Sequence, residues 1–315
     1  MSKASVETLI ERADALLARL EGVLPRSAPA TDWAASTAFR YRKRGGAGHI
    51  EPVKHVATIR LADLKEVEPQ KARLVANTRQ FVAGRPANNV LLTGARGTGK
   101  SSLIKACLNE FAPQGLRLIE VDKADLVDLT DIVDRIAERA ERFVIFCDDL
   151  SFDEGEPGYK ALKSVLDGSV AQASDNVLIY ATSNRRHLLP EYMKENLTYT
   201  HTEDGEVHPG EVVEEKISLS ERFGLWLSFY PFTQAEYLAI VAQWLHHFGE
   251  TDAARLEAAR PEALVWALER GSRSGRVATR RTLAPGRGGS QSSGTVRRTW
   301  TSTRRTVTPG MVRSA

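Results

Sequence analysis

Short apolar runs alternate with helical patterns through the middle of the chain. Each run is bounded by polar or glycine-containing segments, as β-strands usually are. The five runs predicted as strands are Asn89–Thr93, Leu116–Val121, Phe143–Cys147, Val177–Ala181 and Leu225–Phe229. Because strands that alternate with helices form parallel sheets with crossover helices, the pattern predicts an α/β fold: a five-stranded parallel sheet flanked by helices.

Apolar residues also recur at helical spacing near both ends of the chain. Val6–Leu20 predicts an amphipathic helix, and a Pro/Ala/Ser linker follows it up to Ala30. Further helices are predicted at Pro69–Ala83, Ser102–Phe111, Thr233–Phe248 and Pro261–Arg270, and the polar segment Pro190–Ser220 is interpreted as a surface insertion. The expected organisation is an N-terminal helix and linker region over 1–57, an α/β core over 58–232, a small α-helical lid over 233–278 and a disordered Arg/Ser/Thr-rich tail over 279–315.

The net charge of +3 comes from the end of the chain. Eight arginines and no acid lie between Thr279 and Ala315, so residues 1–278 carry 35 basic against 40 acidic residues. A basic surface spread over the whole molecule, as in a dedicated DNA-binding domain, is therefore not indicated. The basic run Ala38–Gly46 has interleaved aromatic residues and is compatible either with nucleic-acid binding or with a solvated segment anchored by a few rings.

The composition of the chain also indicates in which cellular compartment the protein is found. No apolar run approaches the roughly 20 residues that a membrane span needs, and the N-terminus lacks the basic and apolar regions of a secretory signal. Cys107 and Cys147 lie in apolar surroundings without metal-like spacing, which predicts small buried side chains rather than a disulfide. We therefore expect a cytoplasmic protein that does not contact a membrane.

A glycine-rich phosphate-binding motif, the P-loop, follows the first predicted strand. It reads Gly94, Ala95, Arg96, Gly97, Thr98, Gly99, Lys100, Ser101, and Ser102 then opens the next helix. Its glycines allow backbone N–H groups to turn toward phosphates, and the helix N-terminus adds positive potential. In this motif the lysine bridges the β- and γ-phosphates and the Ser101 hydroxyl ligates Mg²⁺. The alternative, a chance glycine turn, does not require this strand–loop–helix context.

Two other strands end in polar residues that suit nucleotide chemistry. Phe143–Cys147 leads into Asp148 and Asp149, the Walker B arrangement, in which the first acid holds Mg²⁺ and the second orients the attacking water. Asp149 is one methylene shorter than the usual glutamate, so Glu154 is a candidate helper; a turn or helix cap is the structural alternative for the acid pair. Val177–Ala181 continues to Asn184, which suits a residue that positions water near the γ-phosphate.

These residues resemble the AAA+ ATPase superfamily over about Ile59 to Ala278. Asn77–Phe81, Gly94–Ser102, Cys147–Leu150 and Ser218–Leu225 more closely resemble an uncharacterised bacterial family of predicted single-domain AAA+ ATPases, a domain of unknown function. The resemblance implies that Arg222 is an arginine finger acting on a neighbouring subunit. It also implies a lid arginine that contacts nucleotide: Arg276, with Arg273 as runner-up. Ion-paired or solvated surface arginines are the alternatives for both roles.

The chain departs from the family pattern in its lid. The helix that Arg276 should open runs at once into a patternless tail in which Pro285 would break a helix, so this helix is expected to be truncated.

The first functional hypothesis is an AAA+ ATPase that uses ATP and Mg²⁺, hydrolyses ATP to ADP and phosphate, and remodels a macromolecular client as a homo-oligomer. The client is not identified. The alternative is a slow-hydrolysing, nucleotide-switched loader or adaptor acting on DNA or a replication protein. A small-molecule kinase is disfavoured because it needs no finger or lid arginines.

Overall fold

The structure is a computed structural model that describes residues 12–16, 30–44, 46–152, 156–167, 175–185, 200–201, 207–208 and 221–283. Residues 12–16 are helical, while most of the predicted N-terminal helix and of the insertion Pro190–Ser220 lies outside the described residues. All described elements up to Thr282 belong to one compact unit. None of the described helices is long and apolar enough to cross a membrane.

The centre of the fold is a seven-stranded sheet in the order β2-β1-β4-β5-β6-β3-β9. Its strands are β1 (Ala38–Arg44), β2 (Ala47–Pro52), β3 (Val90–Gly94), β4 (Leu116–Glu120), β5 (Arg142–Cys147), β6 (Val177–Ser183) and β9 (Leu225–Phe229). A separate two-stranded hairpin is formed by β7 (Thr200–His201) and β8 (Val207–His208). Only β1 and β2 pair antiparallel in the large sheet, and the other five pairings are parallel. The α/β fold and the five predicted strands are confirmed.

The predicted strand number was wrong because the basic run Ala38–Gly46 was not recognised as a strand. Phe39 and Tyr41 point into the core and are almost fully buried, while Arg40 lies between them, which is the two-residue period of a strand. The basic residues that obscured this pattern form ion pairs with acidic residues: Arg40 pairs with Glu120, Lys43 with Asp128 and Arg44 with Glu51. A hairpin therefore joins the sheet where a linker was expected, and much of its basic charge is neutralised.

Seven helices surround the sheet or form the lid. They are α1 (Glu68–Val82), α2 (Lys100–Phe111), α3 (Leu129–Ile136), α4 (Pro157–Asp167), α5 (Gln234–His247), α6 (Ala253–Glu269) and α7 (Gly275–Leu283). Short 3₁₀ helices lie at Leu61–Asp63, Ala112–Gln114 and Lys123–Asp128. These seven helices lie within the described residues, in addition to the helical residues 12–16.

The lid helices differ from the predicted ones at their ends. Helix α6 begins well before Pro261 because the Asp252 side chain accepts a hydrogen bond from the N–H of Ala254 at 2.9 Å and caps the helix. Helix α7 continues past the predicted boundary at Ala278 and ends at Leu283, before Pro285. The rest of the predicted tail, residues 284–315, lies outside the described residues.

The two faces of the sheet carry separate hydrophobic clusters. Along β3, Val90 and Leu92 pack on the face covered by α1, α2 and α5, while Leu91 packs on the opposite face with α3 and α4. All three residues are fully buried. Each such side chain contributes roughly 1.5–3 kcal/mol through burial. The strand that precedes the P-loop is thus held rigidly from both sides.

Candidate functional site

A cleft of about 720 Å³ lies at the carboxyl ends of β3, β5 and β6. It brings together the P-loop, the two acids after β5 and the amide after β6. Its polar lining residues are Arg96, Gly97, Thr98, Gly99, Lys100, Ser101, Ser102, Lys105, Asp148, Asp149, Thr182, Asn184, Arg276 and Thr279, together with Asp63 and Lys65. Open parallel sheets bind ligands at this edge, so most of the residues singled out in the sequence share one site.

The P-loop backbone depends on glycine at several turns. Gly94, Gly97 and Gly99 have φ angles of 125°, 76° and 97°, values that other residues rarely adopt. At Gly94 a Cβ would lie 1.8 Å from the carbonyl oxygen of Phe229, so β3 and β9 can approach only because this side chain is absent. Thr98 closes the loop by donating its hydroxyl hydrogen to the carbonyl of Ala95 at 2.9 Å. Ala95 lines the neighbouring cavity described below.

The Lys100 ammonium is buried in the middle of the loop, with 6% of the residue exposed. Its Nζ donates to the carbonyl oxygens of Gly94 and Ala95 at 2.6 and 2.7 Å and to Asn184 Oδ1 at 3.0 Å. Burial lowers the pKa of Lys100, and Arg96 acts in the same direction, while Asp149 and Asp148 oppose it. Within the described part of the chain, no carboxylate lies within ion-pair distance of this cation. A buried cation of this kind suits an anionic ligand such as phosphate.

Asp148 joins the P-loop to β6. Its Oδ1 accepts hydrogen bonds from Ser101 Oγ and from Thr182 Oγ1, both at 2.6 Å. The Thr182 hydroxyl oxygen in turn accepts the backbone N–H of Asp149 at 2.9 Å. Thr182 was not among the residues singled out in the sequence; its signal is its position at the carboxyl end of β6, two residues before Asn184.

Asp149 lies beside the P-loop and Asn184, in the part of the cleft that we call the phosphate end, and has a left-handed backbone conformation with φ of 54°. Asn184 donates from Nδ2 to Asp149 Oδ1, and Arg96 Nη2 lies 3.7 Å from Asp149 Oδ2. A non-glycine residue in this region stores strain of about 1–3 kcal/mol and is often found at functional sites. Glu154, the proposed helper, lies outside the described residues.

The donor set suits Mg²⁺ bound together with a phosphate. No group of three or more His, Cys, Asp or Glu residues that could hold a metal occurs in the described ranges. Mg²⁺ commonly takes one or two protein oxygens and completes its octahedron with phosphate oxygens and water. Ser101 Oγ and Asp148 Oδ1, already in contact, supply such a pair of oxygens.

The cleft also has apolar lining residues, which include Ile59, Leu64, Val67, Ile240 and Trp244. They come from the segment before α1 and from the lid helix α5, so their role depends on how these elements pack, and no local motif marks them. A nucleotide, which joins a flat ring system to charged phosphates, fits a cleft lined by both apolar and charged residues.

Of the two lid arginines singled out in the sequence, only Arg276 lines the cleft. Arg273 instead lines a second cavity of about 570 Å³, which also includes Ala95, Arg96 and Phe232. Arg276 is brought to the cleft because the N–H of Gly275 donates to the carbonyl of Gly97 at 2.8 Å.

Arg222 does not line its own cleft. It lies just before β9, between exposed Glu221 and buried Phe223. Its guanidinium Nε donates to Asp167 Oδ1 at the end of α4. Arg222 thus contacts α4 and is not among the residues that line the cleft with Lys100 and Asp149.

Solved structures with a similar fold include RuvB from Thermotoga maritima, the Holliday junction branch migration motor, at 17% identity and a TM-score of 0.47. The alignment covers 72% of this chain and 64% of that one, so the chain spans less than two thirds of the RuvB chain. The Escherichia coli MS115-1 HORMA:CdnC:Trip13 complex contains a chain with 13% identity and a TM-score of 0.44, with coverage of 71% and 89%.

No curated protein matches the chain. A family profile, however, matches residues 34–283, most of the described part of the chain. The match includes every residue of the cleft. The chain belongs to the family described as protein of unknown function (DUF815).

Proposed function

We propose that this chain is an AAA+ type ATPase that binds Mg²⁺ and ATP in the cleft and hydrolyses ATP to ADP and phosphate. The observation that carries the proposal is the convergence of Lys100, the Ser101–Asp148 pair and the Asp149–Asn184 pair at the phosphate end of one cleft. A chance glycine turn would not bring a buried lysine, two acids and an amide to one point.

Binding is assigned to the P-loop and its neighbours. Backbone N–H groups of the loop and the N-terminus of α2 attract the phosphates, and Lys100 exchanges its bonds to Gly94 and Ala95 for phosphate oxygens. Ser101 and Asp148 would hold Mg²⁺, which would stabilise the charge that develops on the phosphates. Arg276 adds a positive charge from the lid, and the apolar residues around Trp244 receive the base.

Hydrolysis is assigned to Asp149 and Asn184. The Asp149 carboxylate accepts a hydrogen bond from a water molecule and orients its oxygen toward the γ-phosphate, and Asn184 holds that carboxylate in place. Glu154 is a second candidate for this role. The positive charge of an arginine near the leaving phosphate accelerates such reactions.

Because Arg222 does not line its own cleft, we assign it to the cleft of a second copy of the chain. This requires a homo-oligomer in which the surface around Arg222 meets the phosphate end of the next subunit. The work of such an assembly is the remodelling of a macromolecular client. The paired cations of β1 give no support to a nucleic-acid client.

A nucleotide-switched loader or adaptor for DNA or a replication protein is the second candidate. The observation that favours it is the short side chain of Asp149, which Asn184 holds by a hydrogen bond. A carboxylate with less reach orients water less well, so ATP would stay bound for longer. A steady-state turnover far below the usual 1–10³ s⁻¹ of enzymes, with tight ATP binding, would favour the switch.

The test of the proposed site is Lys100→Ala, with Lys160→Ala as control because Lys160 is an exposed lysine of α4 outside the cleft. In calorimetric titration with Mg²⁺ and ATP, Lys100→Ala should lower the affinity for ATP by about tenfold to 100-fold, the scale of a lost charge-assisted contact. Lys160→Ala should bind ATP as tightly as the wild type. Equal affinity in the two folded variants would refute the assignment.

The test of the assembly is a mixing experiment. Arg222→Ala subunits keep an intact cleft but lack the finger, while Lys100→Ala subunits keep the finger but lack ATP. Mixing them should restore part of the hydrolysis that each lacks alone. A strictly linear dependence of activity on protein concentration, with no recovery on mixing, would contradict action in trans.

A further inference from the structure

The contact between Arg222 and Asp167 joins two elements that are distant in the sequence. Arg222 Nε donates to Asp167 Oδ1, and the two side chains are 26% and 42% exposed, so the pair lies at the surface. Phe223, the next residue, is 3% exposed and anchors the backbone in the core. The position of the Arg222 Cα is thus set by packing, while its long side chain is oriented by the contact with Asp167.

Asp167 is itself held by a rigid element. It is the last residue of α4 (Pro157–Asp167), whose Tyr159 and Leu162 are buried. Tyr159 packs edge-to-face against Phe152 with ring centroids 5.9 Å apart. Phe152 is three residues after Asp149 and fully buried. The contact between Phe152 and Tyr159 therefore links the start of α4 to the segment after Asp149, and the last residue of α4 contacts Arg222.

We infer that Asp167 is a positioning residue: it orients the guanidinium of Arg222 for use in the cleft of a neighbouring subunit. This inference rests on the proposed role of Arg222 in trans. The physical reason is that an arginine side chain has many rotamers, and a charge-assisted hydrogen bond to Nε selects among them before the subunits meet. A misplaced charge of the finger lowers the rate by up to about 100-fold for a shift near 1 Å.

The alternative is an ordinary surface ion pair, which contributes little to stability and nothing to catalysis. The two cases differ in which subunit must carry Asp167. A positioning residue is needed only in the subunit that donates Arg222, whereas a general structural role is needed in both subunits. Mixed assemblies distinguish the two cases, because the donor subunit, which supplies Arg222, and the acceptor subunit, whose cleft binds ATP, carry different substitutions.

The experiment compares two mixtures at saturating ATP. In the first, the donor is Lys100→Ala with Asp167→Ala, and the acceptor is Arg222→Ala. In the second, the donor is Lys100→Ala alone, and the acceptor is Arg222→Ala with Asp167→Ala. We expect the recovered kcat to fall about tenfold or more in the first mixture only, with KM for ATP unchanged in both.

Glu257→Ala in the donor is the matched control, because Glu257 forms an exposed pair with Arg260 at 3.0 Å in α6. Asp167→Asn in the donor should restore part of the rate, since its amide oxygen still accepts from Nε. Equal recovery in the two mixtures, or an equal loss in both, would overturn the inference. If Lys100→Ala and Arg222→Ala give no recovery without any change at Asp167, the proposed trans action fails instead.

Discussion

The backbone N–H of Gly275 donates a hydrogen bond to the carbonyl oxygen of Gly97 at 2.8 Å. The first residue of α7 thus contacts the P-loop directly, beside the phosphate end of the cleft. A Cβ on Gly97 would lie 2.6 Å from Cβ of Ser274, so the loop and the lid can meet only at a residue without a side chain. Lid position and loop conformation are therefore linked at this contact.

Gly97→Ala should weaken ATP binding by about tenfold or more because the new methyl group pushes Ser274, and with it α7 and Arg276, away from the cleft. Gly115→Ala is the matched control: Gly115 has a similar φ of 91° but no atom within 4 Å of the added Cβ. Both variants bear a backbone cost of roughly 1–2 kcal/mol. Titration with ATP, alongside thermal unfolding, should separate them, and equal affinity in both would contradict the lid contact.

Asp149→Asn should leave ATP bound but slow hydrolysis by at least roughly 10²-fold, the scale of a lost general base. Asp149→Glu adds the methylene that the usual residue has, and we expect it to hydrolyse ATP at least as fast as the wild type. Single-turnover measurements with bound ATP check both variants. Unchanged turnover in Asp149→Asn would transfer the role to another acid, with Glu154 the first to replace.

Both cysteine thiols should resist modification in the folded protein. Burial raises the pKa of Cys107 and of Cys147 to about 12 from an ordinary value of 9.0. A thiol-specific disulfide reagent at pH 8 should react with neither residue until denaturant is added, when both react. Fast labelling without denaturant would show that the fold opens locally, at strand β5 for Cys147 or at helix α2 for Cys107.

The same two thiols determine the direction in which the free energy of unfolding should change with pH. Because their pKa is higher in the folded than in the unfolded chain, the folded state holds the protons more tightly between pH 9 and about 12. The unfolded state releases them first, so the free energy of unfolding should fall as pH rises through this window. Cys107→Ala, Cys147→Ala and the double variant should each show a smaller fall than the wild type in urea titrations.

Phe39→Ala should destabilise the fold by about 3–5 kcal/mol, as large-to-small changes of buried aromatic residues do. Phe39 is fully buried in β1, and the centroid of its ring lies 4.7 Å from the ring centroid of Trp33. Arg42→Ala, in the same strand but exposed, should change the free energy of unfolding by less than about 0.5 kcal/mol. Equal denaturation midpoints would mean that the hairpin is not part of the cooperative core.

The parts that were predictable are those whose signals are local. Strands buried on both faces appear as continuous apolar runs, so β3 to β6 and β9 could be recognised from the sequence. In β1 the signal of Phe39 and Tyr41 was obscured by the basic residues around them, whose acidic partners Glu120 and Asp128 are far away in the sequence.

The same distinction holds in the cleft. Lys100, Ser101 and Asp148 belong to motifs in which the neighbouring residues define the role. Thr182 and Trp244 have no such motif, because one reaches the cleft through its position on β6 and the other through its position on α5. Contacts of this kind depend on tertiary packing rather than on a local pattern.

The place of β3 in the sheet has a consequence for synthesis of the chain. Its two neighbours, β6 and β9, lie on the C-terminal side of it in the sequence, and a ribosome releases the N-terminal part first. A nascent chain that has emerged only as far as β6 lacks one flank of the strand that supports the P-loop. Under the proposed function, we therefore expect firm ATP binding only after translation has passed Phe229, and a ribosome stalled earlier should carry a chain that does not retain ATP.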